Sequence, residues 1–238
     1  MSREERDKGL PPGGDMTEPF PRAANLDSPF EELAGKYDAW FDREGSLVFE
    51  IEKRAFEGIL TSLPKPWVEI GAGSGRFAQA LGIDTGIEPS HNLGKMAEER
   101  GIKVTRARGE ERIFPAASFG TVFLIVTLCF VSDPLLVLRR ASEILKESGM
   151  LILGLIVEES PWALFYTEKK ERGHPFYSIA RFYGYGEVLK FLEQTGFEHE
   201  ITISTLFQAP EQVERMELPR EGFDPRAGFT IIAARKKS

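Results

Sequence analysis

The apolar positions of this chain follow two regimes. Between Ser28 and Leu60 they recur three and four apart: Phe30, Leu33, Ala34, Tyr37, Trp40 and Phe41, then Leu47, Ile51, Ala55 and Ile59. That spacing lines one face of a helix and predicts two helices. The first opens at Ser28-Pro29-Phe30-Glu31, a capping-box pattern with proline at the first helical position. The second runs from about Leu47 to Leu60 and is stopped by Pro64 and Pro66. From Trp67 onward, short apolar runs alternate with helical stretches. Strands are expected near Trp67 to Ile70, Thr85 to Glu88, Lys103 to Ala107, Thr121 to Val126 and Met150 to Val157. Helices are expected from Arg76 to Leu81, from a Ser90 cap through Arg100, and from Asp133-Pro134 to a stop at Gly149. Such alternation calls for a parallel sheet with crossover helices.

The segment from Glu158 to Tyr185 breaks this rhythm and is densely aromatic. A helix from Glu187 to Thr195 follows, then two strands, about Glu198 to Phe207 and Gly228 to Arg235, that read as a hairpin with a long charged loop. The expected fold is α/β and Rossmann-like, a seven-stranded mostly parallel sheet with a C-terminal antiparallel hairpin strand. A helical N-terminal cap and an aromatic cap insertion complete it. Residues 1–25 carry charge and Pro11-Pro12-Gly13-Gly14 without apolar period, so a disordered tail is expected there. Residues 26–238 form one domain, with cap elements at 28–60 and 158–185.

Composition narrows the function. Hydrophobic content of 42% and charged content of 28% are those of a soluble globular protein, and a cytoplasmic location is expected. A single cysteine, Cys129, excludes an intrachain disulfide and a cysteine-rich metal site, and no metal is expected. The run Val122 to Val131 is too short to span a bilayer, so no membrane partner is expected. A formal net charge of −7 without a basic stripe speaks against nucleic acid.

The chemistry centres on Glu69-Ile70-Gly71-Ala72-Gly73-Ser74-Gly75. A strand ends on an acid, then turns through three glycines into a helix. Glycine lets the chain reverse and lets its backbone approach a ligand, while the helix start offers unpaired N–H donors. The dinucleotide fingerprint G-x-G-x-x-G needs glycine at 76, where Arg76 stands. Seventeen residues after Gly71, Glu88 closes the second strand, just before Pro89; a carboxylate there can accept from both hydroxyls of a ribose.

These residues resemble motif I and the ribose acid of class I S-adenosylmethionine-dependent methyltransferases. Phe30 to Phe41 is similar to the N-terminal helix of the UbiE/type-11 small-molecule enzymes among them. Gly109-Glu110-Glu111-Arg112-Ile113-Phe114-Pro115 sits where that family has G-D-A-E-x-L-P, whose first residues border adenine. Thr127 to Pro134 sits where it has a strand-end segment followed by D-P. The resemblance implies S-adenosylmethionine as cofactor, with S-adenosylhomocysteine as its product. It implies a cofactor site of Glu69, Gly71, Ala72, Gly73, Gly75, Glu88, Pro89, Gly109, Glu110, Glu111 and Thr127. Three departures stand out: Arg112 where the pattern has Glu, Gly120 where it has Asp, and Cys129-Phe130 where it often has Glu-His, so no histidine base is inherited there.

The implied reaction is in-line methyl transfer to an N, O, S or C nucleophile of a small molecule, driven mainly by alignment and desolvation. Tyr37, Cys129, Trp162, Tyr166, Phe176, Tyr177 and Phe182 are candidates for the acceptor wall, Trp40 more for the core, and Tyr37, His174 and Tyr177 for a catalytic group. An aromatic stripe at helical spacing also serves as core packing, and a loop histidine is commonly a surface one. Two other readings stand beside this one: an NAD-linked oxidoreductase, and a non-catalytic module that binds the cofactor or S-adenosylhomocysteine.

Overall fold

The computed structural model describes residues 28–237. The expected tail, and the Ser28 side chain of the expected capping box, lie outside the described residues. Three N-terminal helices come first, α1 (Ser28–Glu32), α2 (Ala34–Trp40) and α3 (Ser46–Leu60). The expected single first helix is thus broken at Leu33. Glu31 reaches forward, accepting from Ser90 Oγ at 2.7 Å and from the Asn92 amide at 3.1 Å.

The sheet then builds from β1 (Trp67–Ile70), β2 (Thr85–Ile87), β3 (Lys103–Thr105), β4 (Phe119–Ile125) and β5 (Leu145–Leu155), with α4 (Arg76–Leu81), α5 (His91–Glu99) and α6 (Pro134–Ile144) between them. Ser90 caps α5 by accepting from the Leu93 amide, and Asp133 caps α6 by accepting from the Leu136 amide. Helix α6 ends at Ile144 rather than at Gly149. Leu145 is already extended and pairs with Phe119, so the chain turns through Ser148 and Gly149 inside the strand. Next come α7 (Pro161–Glu171), unforeseen in the aromatic segment, and α8 (Tyr185–Gln194). The last strands are β6 (Phe197–Thr205), β7 (Arg220–Glu221) and β8 (Phe229–Lys236). Eight strands, not seven, lie in the order β3-β2-β1-β4-β5-β8-β6-β7 among the described residues. The extra one is the two-residue β7, formed within the loop expected to join the hairpin, where Arg220 and Glu221 pair with Ser204 and Ile203.

Strand residues alternate between two cores, as the pleat demands. Phe123, Ile125, Ile152, Ile231 and Ala233 face α3, α4 and α7 with Phe56, Phe77 and Trp162. Val122, Leu124, Leu151, Leu153, Ile232 and Ala234 face α6 and α8 with Leu138, Val188 and Leu192. The first five strands are parallel and β8 is antiparallel to both neighbours. Strand order reverses between β1 and β4, which opens a crevice beyond their carboxyl ends.

Candidate active site

The crevice is walled by the loops that leave β1 and β4. Gly71 and Ala72 donate to the Ile87 carbonyl at 2.8 and 3.0 Å, so the first loop is pinned to the end of β2. Gly71 has φ 74°, and a Cβ there would lie 2.4 Å from Thr127 Cγ2. Only glycine lets the two loops close to this distance. Thr127 donates to the Ile125 carbonyl at 3.0 Å, and Val126 holds φ 50°, a strained value for a β-branched residue, on the ridge between the walls.

Two cavities meet at this ridge and share Tyr37, Gly71, Gly73 and Val126. The first is lined by Glu88, Pro89, Gly109, Glu110 and Thr127. Glu88 is 5% exposed and accepts from the Gly73 amide at 2.8 Å and the Ser90 amide at 2.9 Å. Glu110 accepts from the Ser132 amide at 2.9 Å while its carbonyl accepts from Arg140 Nε at 3.0 Å. This wall is polar along one edge and apolar across Ile70, Leu93 and Val131.

The second cavity holds Glu69, Ala72, Tyr166, His174, Phe176 and Tyr177. Glu69 is 2% exposed; the Ala78 N–H in the first turn of α4 donates to its carboxyl, and Oε2 has no partner. Burial pushes this carboxyl well above the ordinary carboxylate range, and nearby Glu88 pushes the same way. Tyr166 and Tyr177 stack at 4.2 Å between ring centroids. Burial and the carboxylates Glu88 and Glu69 keep the Tyr37 hydroxyl protonated far beyond neutral pH. His174 is half-buried rather than a surface loop residue; burial, then Lys169 and Lys36, lower its pKa, and its Nδ1 is buried without a partner.

The three catalytic candidates Tyr37, His174 and Tyr177 thus come together, and Trp40, expected in the core, lines the same cavity. Other expected wall residues do not. Trp162 is buried under Gly228, its indole N–H donating to the Gln208 carbonyl at 3.0 Å, so it packs α7 onto the C-terminal strands. Phe182 packs beside Tyr166 and lines neither cavity. Cys129 faces a separate small void with Leu155 and Tyr183, and burial pushes its thiol up to about 12, away from the reactive thiolate. On the cofactor side, Gly75 lines neither cavity. Its φ is 81°, and a Cβ would sit 2.9 Å from Ala97 Cα, so this glycine is needed for α4 to pack on α5. Glu111 turns back to accept from the Arg108 amide, outside both cavities, and Arg112 points outward to Glu143.

Three acidic positions around the site escaped the sequence reading. Glu52 of α3 is 6% exposed and lines the second cavity, raised to about 8 by burial. Its signal was an acid on the buried stripe Val48, Ile51, Ala55, Ile59. Asp38 accepts from Arg76 at 2.9 Å and from Arg100 at 2.8 Å, fastening α2 over the glycine loop. Asp42 accepts from Arg76 Nη1 at 2.6 Å. Periodicity alone carries no trace of these ion pairs, which join residues far apart in the chain.

A family profile described as a methyltransferase domain matches residues 68–153. The protein Rv2003c of Mycobacterium tuberculosis is 36% identical over 203 residues, covering 84% of this chain and 71% of its own. The protein MJ1123 of Methanocaldococcus jannaschii is 34% identical, covering 87% of this chain and 98% of its own. A crystal structure from Thermotoga maritima, described as an S-adenosylmethionine-dependent methyltransferase and possible histamine N-methyltransferase, superposes with a TM-score of 0.83. It is 33% identical and covers 90% of this chain and 100% of its own. Motif, topology and these relatives agree, and the chain belongs to the class I S-adenosylmethionine-dependent methyltransferases of the type-11 family.

Proposed function

We propose that this enzyme transfers the methyl of S-adenosylmethionine to a nucleophile of a small molecule, with the cofactor laid across the ridge between the two cavities. The observation that carries this reading is the unpaired, buried Oε2 of Glu69 on one side of a glycine cradle whose other side holds Glu88. An ammonium group fits the first, and vicinal ribose hydroxyls fit the second. Gly71 and Gly73, at φ 74° and 55°, form the floor between the two acids, and Gly109, Glu110 and Thr127 supply the edge for a base. When bound, the cofactor supplies a methyl already activated on a sulfonium.

The chain's own work is then placement. Tyr37 stands at the junction of the cavities, where donor and acceptor must meet. The aromatic side chains of the second cavity exclude water and present π faces to positive charge. Holding two reactants in attack geometry is worth on the order of 7–11 kcal/mol, whereas a general base adds about 10²–10⁴-fold. His174 stands at the same wall, its pKa lowered by burial and by Lys169 and Lys36 and its Nδ1 without a partner. A small acceptor fits a cavity walled by side chains of α2, α3 and α7. Among the described residues no helix is long and apolar enough to cross a membrane.

Calorimetric titration with S-adenosylhomocysteine and with NAD, followed by transfer of labelled methyl to a panel of amines, phenols, thiols and carboxylates, tests this. Binding of the first ligand and turnover of at least one acceptor class are expected. Binding of NAD alone, or cofactor binding with no turnover across the panel, would overturn the reading.

A further inference from the structure

The Glu52 carboxyl is nine-tenths buried, lies on the sheet-facing side of α3 and opens into the acceptor cavity. Among the described residues it makes no hydrogen bond and no ion pair. Burying a carboxyl without a partner destabilises a fold, and nothing in the packing of α3 requires an acid among Val48, Ile51, Ala55 and Phe56. Cations near it are committed or peripheral. Arg76 is held by Asp38 and Asp42, and Lys169 pairs with Glu211 at 3.2 Å. Opposite stand the stacked rings of Tyr166 and Tyr177, neutral and electron-rich on their faces.

Resting on the methyl-transfer reading, we propose that Glu52 is the acceptor-binding carboxylate and that the acceptor is a small primary or secondary amine entering as its ammonium cation. An ammonium makes the ionised form of this buried carboxyl favourable, whereas a neutral alcohol or thiol brings no charge to pair with it. An ammonium supplies the missing charge and N–H donors, and it lies against aromatic faces suited to a cation. Facing the bound ammonium, Glu52 also accepts one proton from it. One N–H bond breaks, a carboxyl O–H forms, and the nitrogen keeps the electron pair as a lone pair. The proton leaves to solvent with the product. Glu69 is reserved for the amino group of the cofactor, so the two buried acids divide the two cations between them.

The test is calorimetric titration of the protein saturated with S-adenosylhomocysteine, using 2-phenylethylamine, tryptamine and cadaverine, each beside the alcohol that replaces its amine. At least one amine should bind wild type about tenfold or more tighter than its alcohol. Glu52→Gln should lose that preference while binding S-adenosylhomocysteine within about twofold of wild type, which also reports that the variant is folded. No preference for any amine in wild type, or a preference kept by Glu52→Gln, overturns the proposal. Failure of wild type to bind S-adenosylhomocysteine overturns the methyl-transfer reading itself, and a preference for alcohols leaves that reading intact while removing the amine.

Discussion

The Gly73 amide donates to Glu88 Oε2 at 2.8 Å, tying the glycine loop after β1 to the carboxylate that ends β2. One acid therefore shapes the loop and faces the cavity at once. Its second oxygen accepts from the Ser90 amide, so three segments converge on a single side chain.

Replacing Glu88 with Ala removes the anchor of the loop and, on the proposed cofactor placement, the acceptor for ribose hydroxyls. A charge-assisted contact of this kind is worth about 1.5–3 kcal/mol, so affinity for S-adenosylhomocysteine should fall roughly 10- to 100-fold. Calorimetry measures it directly. An unchanged affinity would mean that the ribose lies elsewhere.

Asp38 is the clamp that holds α2 over the site. Partial burial raises its pKa, but the hydrogen bonds from Arg76 and Arg100 outweigh that and leave it at about 2. A carboxyl lowered in the folded state contributes stability above its unfolded pKa, lost as pH falls through about 2. Asp38→Asn should therefore cost about 1–2 kcal/mol at neutral pH and progressively less below pH 4. Denaturant melts at several pH values check the trend, and an equal cost at pH 2 and pH 7 would refute the ion-pair account.

Glu52 gives the opposite sign. Burial raises it to about 8, among Glu69, Tyr166, Tyr177, His174, Lys36 and Lys169 facing the same cavity. The folded state holds this proton more tightly than the unfolded chain, so stability falls as pH rises from the ordinary carboxylate range to about 8. Glu52→Gln should raise stability by a few kcal/mol, of order, at pH 8 and by little near pH 4. Thermal melts without ligand decide this. A variant less stable than wild type at pH 8 would show that the carboxylate is paired after all.

Gly120 occupies a position where the family pattern has an acid, and packing explains it. A Cβ there would lie 2.4 Å from the Pro64 carbonyl oxygen, against backbone that cannot swing aside. Gly120→Ala should destabilise by about 1–3 kcal/mol while leaving cofactor affinity of the folded fraction unchanged, because the clash is at the far end of β4 from the site. Urea melts with ligand titration separate the two effects.

Much was legible along the chain because it depends on neighbours in sequence. The glycine turn, the acids Glu69 and Glu88, and the caps Ser90 and Asp133 are local patterns, and each element from β1 to β4 follows from period and punctuation. The aromatic wall was harder. Trp162 and Phe182 lie in the same aromatic segment as Tyr166, Phe176 and Tyr177, and only the packing of α7 and of the chain after it decides which rings line the cavity. Gly75 matched the motif for a reason that only packing against Ala97 reveals. Glu52 looked like one more helical acid until α3 was laid on the sheet, and Arg76, which excluded a dinucleotide fingerprint, acquired its partners only when α2 folded across the loop. Sequence determined the elements and the cofactor cradle, since both rest on contacts a few residues apart. Tertiary structure alone decided which side chains share the second cavity, because that cavity is bounded by helices separated by more than a hundred residues.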